Sequence, residues 1–316
     1  MKNLSIIAHE IALYQDAPAG HPECSKRYEA IKNKIEGNYK NWSRVQAPLA
    51  TRKQLLGAHT KSFLDYIDET ASEALSPIGL DPDTWAGKLG VEAALRGAGG
   101  ACAAVDKVME TEDGASFSAM RPPGHHAEPD KAMGFCVYSS AAIAARHAQE
   151  KWGLERVAVL DFDVHHGNGT QACFWNDPSL FYVSSHQMPL FPGTGEMSET
   201  GISNNILNMP LSPGTLGVDI LQGWKSYLLP SVLDFKPHLV IISAGFDAHK
   251  EDPLGGLKMA TEDFGTLTRL ILEMVHKNAN IIGSSRVVSI LEGGYNLFAL
   301  AESVACHLDT LESFDA

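Results

Sequence analysis

Three things are scarce in this chain of 316 residues. Long apolar runs are the first: nothing approaches the ~18 consecutive apolar residues of a membrane span. Near the start only the short stretch Leu4–Ala8 is largely apolar, with His9 and Glu10 directly behind it, too little for a signal-peptide core. No membrane partner and a cytoplasmic location are therefore expected. Cysteine is the second. Cys24, Cys102, Cys136, Cys173 and Cys306 are odd in number, widely spaced and never in a C-x-x-C, which argues against a disulfide framework and a thiolate zinc finger and leaves buried free thiols in a reducing compartment. Positive charge is the third: 25 Lys+Arg face 38 Asp+Glu, a net charge of −13. Chains that hold phosphates carry a basic patch, so nucleic acid is not an expected partner, whereas a cationic substrate is compatible.

What remains, 44% hydrophobic and 20% charged with 28 glycines, is a globular composition with a large core. No repeat, low-complexity tract or linker interrupts it. Short apolar runs that end in polar or glycine residues read as buried strands at Leu4–His9, Ser116–Met120, Val157–Asp163, Leu180–Ser185, Ile206–Leu211, His238–Ala244 and Val287–Leu291. Helical patterns lie between most of them, at Ser25–Ile35, at Leu89–Met109, from an N-cap at Thr261, and along Leu297, Leu300, Val304, Leu308 and Leu311. Gly97–Gly100 lies inside one of these helices and lacks a nucleotide-loop spacing, so helix packing is its expected use. Strands alternating with helices predict an α/β fold, a parallel sheet covered on both faces, with ligands beyond the carboxyl ends of the strands.

Four of the seven runs lead straight into His, Asp or Tyr at that rim. Asp163 and His165, two apart after a strand, share a face in extended chain, and Asp247 ends another strand. Three protein ligands with one open position suit a catalytic zinc, and two carboxylates leave Fe(II), Co(II) or Mn(II) open; capping of the next helix is the simpler alternative. His125 and His126 follow a Pro-Pro-Gly loop. Either is a candidate general base if Asp161 or Asn168 orients it, and two structural histidines are the alternative. Tyr295, after Gly293-Gly294, is a candidate oxyanion donor or a core tyrosine. His166 and His249 adjoin these motifs and are expected to make local hydrogen bonds or face solvent.

The blocks R-P-P-G-H-H-A-E (121–128), G-F-C (134–136), D-F-D-V-H-H-G-N-G-T (161–170), F-P-G-T-G (191–195), S-A-G-F-D-A-H-K-E-D-P-L-G-G (243–256) and L-E-G-G-Y-N (291–296) resemble the zinc-dependent histone deacetylase family. More narrowly they look like its class II-like branch, which includes bacterial amidohydrolases and acetylpolyamine amidohydrolases. The resemblance implies one arginase–deacetylase-type domain over 1–316. It implies Zn2+ (Fe2+ or Co2+ being possible) on Asp163, His165 and Asp247, with His125, His126 and Tyr295 catalytic. Asp161 would orient the first histidine, and Asn168 is the class II-like partner of the second. Phe135, Phe191, Gly134, Leu254 and Asp83 would meet the substrate. A structural K+ or Na+ would sit by Asp161, Asp163, His165 and Ser184, and a second near Phe174, Asp177 and Leu180. The implied reaction is hydrolysis of an N-acyl amide on an acetylated lysine peptide. A small acetylated amine such as an acetylpolyamine is the alternative, and a non-catalytic acyl-lysine binder the rival from another class.

Overall fold

The computed structural model describes residues 3–14, 16–73, 76–111, 113–282 and 285–314. In chain order the strands are β1 (Asn3–Ala8), β2 (Ser43–Gln46), β3 (Ile78–Gly79), β4 (Trp85–Ala86), β5 (Asp113–Ser118), β6 (Val157–Asp161), β7 (Leu180–Gln187), β8 (Ile206–Leu211), β9 (Leu239–Ala244) and β10 (Ser285–Leu291). β3 and β4 pair as a small antiparallel hairpin. The other eight form one sheet in the order β2-β1-β5-β10-β9-β6-β7-β8, and every pair in it is parallel.

Alternation along the central strands explains the two covered faces. Ala158 and Leu160 of β6, with Val240, Ile242 and Ala244 of β9, join the core on one side. Val157, Val159, Leu239 and Ile241 join the core on the other. Both faces of these strands are apolar because helices cover both, as all-parallel sheets require. Helices Ser25–Asn38, Thr261–Lys277 and Leu297–Ser313 cover the first side, and Lys88–Met109 with Ser140–Trp152 the second. The glycines inside Lys88–Met109 serve packing: a Cβ on Gly99 would lie 2.1 Å from the Pro48 carbonyl oxygen.

Three details depart from the expectations. The strand β6 stops at Asp161, and the chain bends through Asp163–His165 instead of staying extended. Ala260, not Thr261, caps the helix Thr261–Lys277, and the Asp263 carboxylate accepts a hydrogen bond from the Ala260 N–H at 2.8 Å. The edge strand β2 was not expected, because its sequence Ser-Arg-Val-Gln is short and polar. The central point holds: β5, β10, β9 and β6 are four consecutive neighbours in the sheet, and they are the four strands whose carboxyl ends lead into the His, Asp and Tyr motifs.

Phe264 connects a covering helix to this region. Its ring lies 6.1 Å from Phe162 and 5.3 Å from Phe246, centroid to centroid, and all three are buried. Removing a large buried side chain costs about 3–5 kcal/mol. Phe264→Ala is expected to lower stability by that amount in urea denaturation; a loss under ~1 kcal/mol would show that the cluster relaxes around the gap.

Candidate active site

The strand ends deliver four buried carboxylates to one place: Asp161 from β6, Asp163 just beyond it, Asp247 beyond β9, and Glu292 beyond β10. Asp161 accepts from the Asp163 N–H of its own segment at 3.1 Å, and the other three are each tied to a backbone N–H of a neighbouring loop. Asp163 accepts from His165 N (2.9 Å) through Oδ1 and from Gly293 N (2.8 Å) through Oδ2. Asp247 Oδ1 accepts from Val164 N at 2.8 Å. Glu292 Oε2 accepts from Gly124 N (2.7 Å) and His125 N (3.2 Å), while its Oε1 accepts from Ser243 Oγ (3.0 Å). A Cβ at Gly293 would sit 2.0 Å from Asp247 Oδ2 and 2.5 Å from Asp163 Oδ2, so only glycine leaves room between those oxygens.

Asp163, His165 and Asp247 converge with ligand atoms within 4.8 Å of one another. His165 Nδ1 lies 3.1 Å from Asp163 Oδ1 and 3.3 Å from Asp247 Oδ2. Burial opposes a charge on the His165 ring, yet the two carboxylates outweigh it and push its pKa up to about 10. Burial and Asp163 push the Asp247 carboxyl up to about 7. Asp247 Oδ2 is buried with no hydrogen-bond partner. A cage that raises its imidazole and one of its two carboxyls, and that leaves one oxygen unpartnered, is short of a positive charge. Two carboxylates and one imidazole are also the donors a divalent ion takes, so the residues fit a metal. The bend through 163–165, not strand alternation, brings the first two together.

The tandem histidines stand beside the cage, 4.0 Å apart between centroids, with His126 5.8 Å from His165. Their partners differ. His125 Nδ1 lies 3.1 Å from Asp161 Oδ2, which also accepts from the Tyr182 hydroxyl at 3.0 Å. His126 Nδ1 lies 2.8 Å from Asn168 Oδ1. The environment drives the two rings apart. Burial disfavours charge on both, but Asp163 and Asp161 raise His125 to about 10. His126 is held well below the usual histidine range by burial and by its two histidine neighbours.

Tyr295 sits across the site with the Arg27 guanidinium 4.9 Å from its ring centroid. Arg27 is fully buried: Nε donates to the Gly294 carbonyl at 2.6 Å, another nitrogen to the Glu292 carbonyl, and Nη1 to Glu23 Oε1 at 3.1 Å. Glu23 is shared with Arg121, and these two cations overcome its burial and lower its pKa. The Asp252 carboxylate accepts from Tyr295 N (2.7 Å) and Asn296 N (3.2 Å) through Oδ2, and from Leu254 N (3.0 Å) through Oδ1.

A cavity of about 250 Å³ opens above these groups, lined by Asp83, His126, Gly134, Phe135, His165, Leu190, Phe191, Leu254 and Tyr295. Every wall residue expected from the sequence is therefore at this cavity, and Leu190 joins them. Gly134 has φ +57° and a Cβ there would meet His126 Cδ2 at 2.6 Å, so the turn demands glycine. Phe135 adopts φ 68°, unusual for a bulky residue, with its N–H donating to Thr84 Oγ1 at 3.0 Å. That turn presents its ring 5.7 Å from the Tyr295 ring. Phe191 faces it, 5.0 Å from the His126 ring.

Other sequence candidates lie elsewhere or do local work. His166 bridges Thr194 Oγ1 (2.7 Å) and Gln171 Oε1 (3.0 Å), and His249 accepts from Glu251 N (3.1 Å). Ser184 Oγ pairs with His186 Nδ1 at 2.9 Å. The carbonyls of Phe174, Asp177 and Leu180 do converge, and Asn205 Nδ2 donates to each, at 2.8, 3.1 and 3.0 Å. Sequence reasoning passed over Arg27, Glu23, Arg121, Glu292 and Asp252. Glu292 alone carried a usable signal, as an ionisable residue at the end of an apolar run.

The histone deacetylase domain profile matches residues 21–311 of this chain. The chain belongs to the histone deacetylase family. It is 37% identical over 305 residues to histone deacetylase 14, chloroplastic, of Arabidopsis thaliana, spanning 90% of this chain and 71% of that one. It is 34% identical over 287 residues to the histone deacetylase-like amidohydrolase of Pseudomonas aeruginosa, spanning 89% and 74%. The solved structure of the HDA15 HD domain superposes with a TM-score of 0.88 at 31% identity, covering 98% of this chain and 91% of that chain. As a histone deacetylase family member, the chain is a hydrolase of the deacetylase/amidohydrolase type with the family's α/β fold, and its cage matches a metal-dependent family. No helix among the described residues is long and apolar enough to cross a membrane.

Replacing any cage residue removes one of the three donors that converge there. Asp163→Ala, His165→Ala and Asp247→Ala are each expected to lose bound metal and activity together, read by elemental analysis alongside an amidase assay. Full metal content with retained activity in any one of them would show that its side chain is not a ligand.

Proposed function

We propose that this chain acts as a single deacetylase unit over 1–316 and hydrolyses an N-acyl amide of the acyl-lysine type, releasing acetate and a free amine. The reading is carried by one observation: His165 of the three-residue cage, His126 and the Tyr295 phenol all line one cavity, with Asp163 and Asp247 against His165 and His125 against His126. Zinc is the proposed ion, with Fe2+ or Co2+ as substitutes, and K+ or Na+ as the structural ion by Asp161, Asp163, His165 and Ser184. Free thiols at all five cysteines suit a reducing compartment such as the cytoplasm.

When bound by Asp163, His165 and Asp247, the divalent ion supplies Lewis acidity and a lowered water pKa. The chain's own groups do the rest. With its Nδ1–H donating a hydrogen bond to Asn168 Oδ1, His126 keeps a lone pair on Nε2 and takes the proton of the attacking water, then returns one to the departing amine. His125, whose pKa Asp163 and Asp161 raise, supplies electrostatic support beside His126 or shares the proton transfer. Tyr295 donates to the carbonyl oxygen as negative charge develops on it. Phe135 and Phe191 line the path of an aliphatic chain, and the scissile amide is thereby placed at the cage.

Phe in place of Tyr295 keeps the ring and removes only the donor. Loss of one oxyanion donor typically costs about 10²–10³ in kcat. Tyr295→Phe is expected to fall by that factor on an acetyl-lysine substrate with metal still bound. Turnover near that of the wild type would exclude the role.

Leu254 at the cavity supports the acyl-lysine reading over the polyamine one. A leucine offers no partner to the secondary ammonium of a polyamine, and desolvating that charge beside it is unfavourable. The wild type is expected to favour acetyl-lysine peptides over N8-acetylspermidine, and Leu254→Glu to shift the ratio of kcat/KM values toward the polyamine. A wild-type preference for the acetylpolyamine of about tenfold or more would transfer the assignment to a small-molecule amidohydrolase.

A further inference from the structure

Glu128 closes the Arg-Pro-Pro-Gly-His-His-Ala-Glu block and has no part in the chemistry above. Its carboxylate Oε1 accepts from Asn168 Nδ2 at 2.7 Å, and Asn168 Oδ1 in turn faces His126 Nδ1 at 2.8 Å. Among the described residues the other acceptors near Asn168 Nδ2 are the His126 carbonyl at 3.4 Å, long for an N–H···O bond, and Met133 Sδ at 3.4 Å, a neutral thioether and so only a weak acceptor. The backbone of Glu128 is itself fixed. Its carbonyl accepts from His59 Nδ1 at 3.0 Å, and its N–H donates to the Lys131 carbonyl at 2.9 Å. His59 is buried and its other nitrogen accepts from Ser139 N at 2.9 Å, so the ring donates to Glu128 through Nδ1–H.

A carboxylate at the position of Asn168 would present an acceptor whichever way it turned. An amide does not. Rotated by half a turn, Asn168 would offer an N–H to His126 Nδ1 and stabilise the tautomer whose proton is on Nε2. That tautomer has no lone pair facing the cage and cannot take a proton from water there. A carboxylate is an acceptor only, so Glu128 accepts from Nδ2 and penalises the rotated amide. We propose that Glu128 is a positioning residue: it locks the Asn168 amide so that Oδ1 faces His126, and thereby keeps the base in its Nδ1–H tautomer. The inference rests on the proposed role of His126 as base. It concerns orientation and lies outside the metal cage.

The test uses metal-loaded protein and two variants of similar volume. Glu128→Met keeps the side-chain length and removes the acceptor; Glu128→Gln keeps an acceptor oxygen. Outer partners of active-site groups are worth about 10–100-fold in activity. Glu128→Met is therefore expected to lose about tenfold or more in kcat on an acetyl-lysine peptide, with KM and metal content little changed, and Glu128→Gln to recover most of that loss. In an Asn168→Asp background there is no amide to orient, and Glu128→Met should then cost nothing or relieve carboxylate repulsion. Independently of turnover, 15N NMR of the His126 ring should show the Nδ1–H tautomer in the wild type and a mixture in Glu128→Met. Equal losses in the Met and Gln variants, an unchanged kcat in Glu128→Met, or an unchanged tautomer in that variant would each overturn the proposal. Absence of amidase activity in the wild type would instead strike the parent reading, while the ring spectrum still decides the orientation.

Discussion

Four carboxylates buried side by side are the constraint on which this molecule turns. Asp161, Asp163, Asp247 and Glu292 are all fully inaccessible, at 0% exposure, and taking even one such ion out of water costs several kcal/mol unless it is paired and hydrogen-bonded. The partners they recruit come from all the loops around them. Gly124 and His125 reach Glu292, Val164 reaches Asp247, and Gly293 reaches Asp163. Each of these bonds crosses from one strand end to another. The rim is therefore a mesh in which the negative charge itself fixes the loops that surround it.

The same charge explains the raised imidazoles in the site and the guanidinium beneath it. His125 and His165 are both raised although fully enclosed, because the carboxylate field exceeds the penalty of burial. Arg27 is as deeply buried and answers to carbonyl oxygens of the Glu292–Tyr295 loop as well as to Glu23. His126 is pushed the other way, by burial and by the neighbouring His125 and His165. Adjacent residues in one short loop thus acquire opposite proton affinities, His125 from the carboxylates Asp163 and Asp161 and His126 from burial and the flanking imidazoles.

Much of this was legible in the sequence because the relevant signals are local. Apolar runs that end in Asp, His or Gly marked β5, β6, β9 and β10, and parallel-sheet logic placed their ends on one rim before any contact was known. The wall positions Asp83, Gly134, Phe135, Phe191 and Leu254 came only through resemblance, since a lone Phe or Leu carries no spacing signal, yet they share one cavity. Residues that act through long-range contacts stayed hidden. Arg27 reaches Glu292 across 265 positions and Glu23 reaches Arg121 across 98, and nothing in the neighbourhood of either predicts its partner. The polar edge strand β2 and the bend after Asp161 were missed for a related reason, because pairing and packing decide them rather than periodicity. Metal identity, substrate class and individual roles rest on chemistry that a spacing does not encode.

Asp252 gives this scaffold a mechanical linkage between selection and turnover. One carboxylate holds the N–H of Leu254 at the mouth through one oxygen and the N–H groups of Tyr295 and Asn296 through the other. A substitution that shifts the mouth pulls on the same anchor that aims the phenol. Evolution toward a new acyl chain or amine cannot then explore the entrance freely. A shift of the backbone at the mouth is thereby felt by the phenol, whereas an exchange of the Leu254 side chain alone leaves the shared anchor in place.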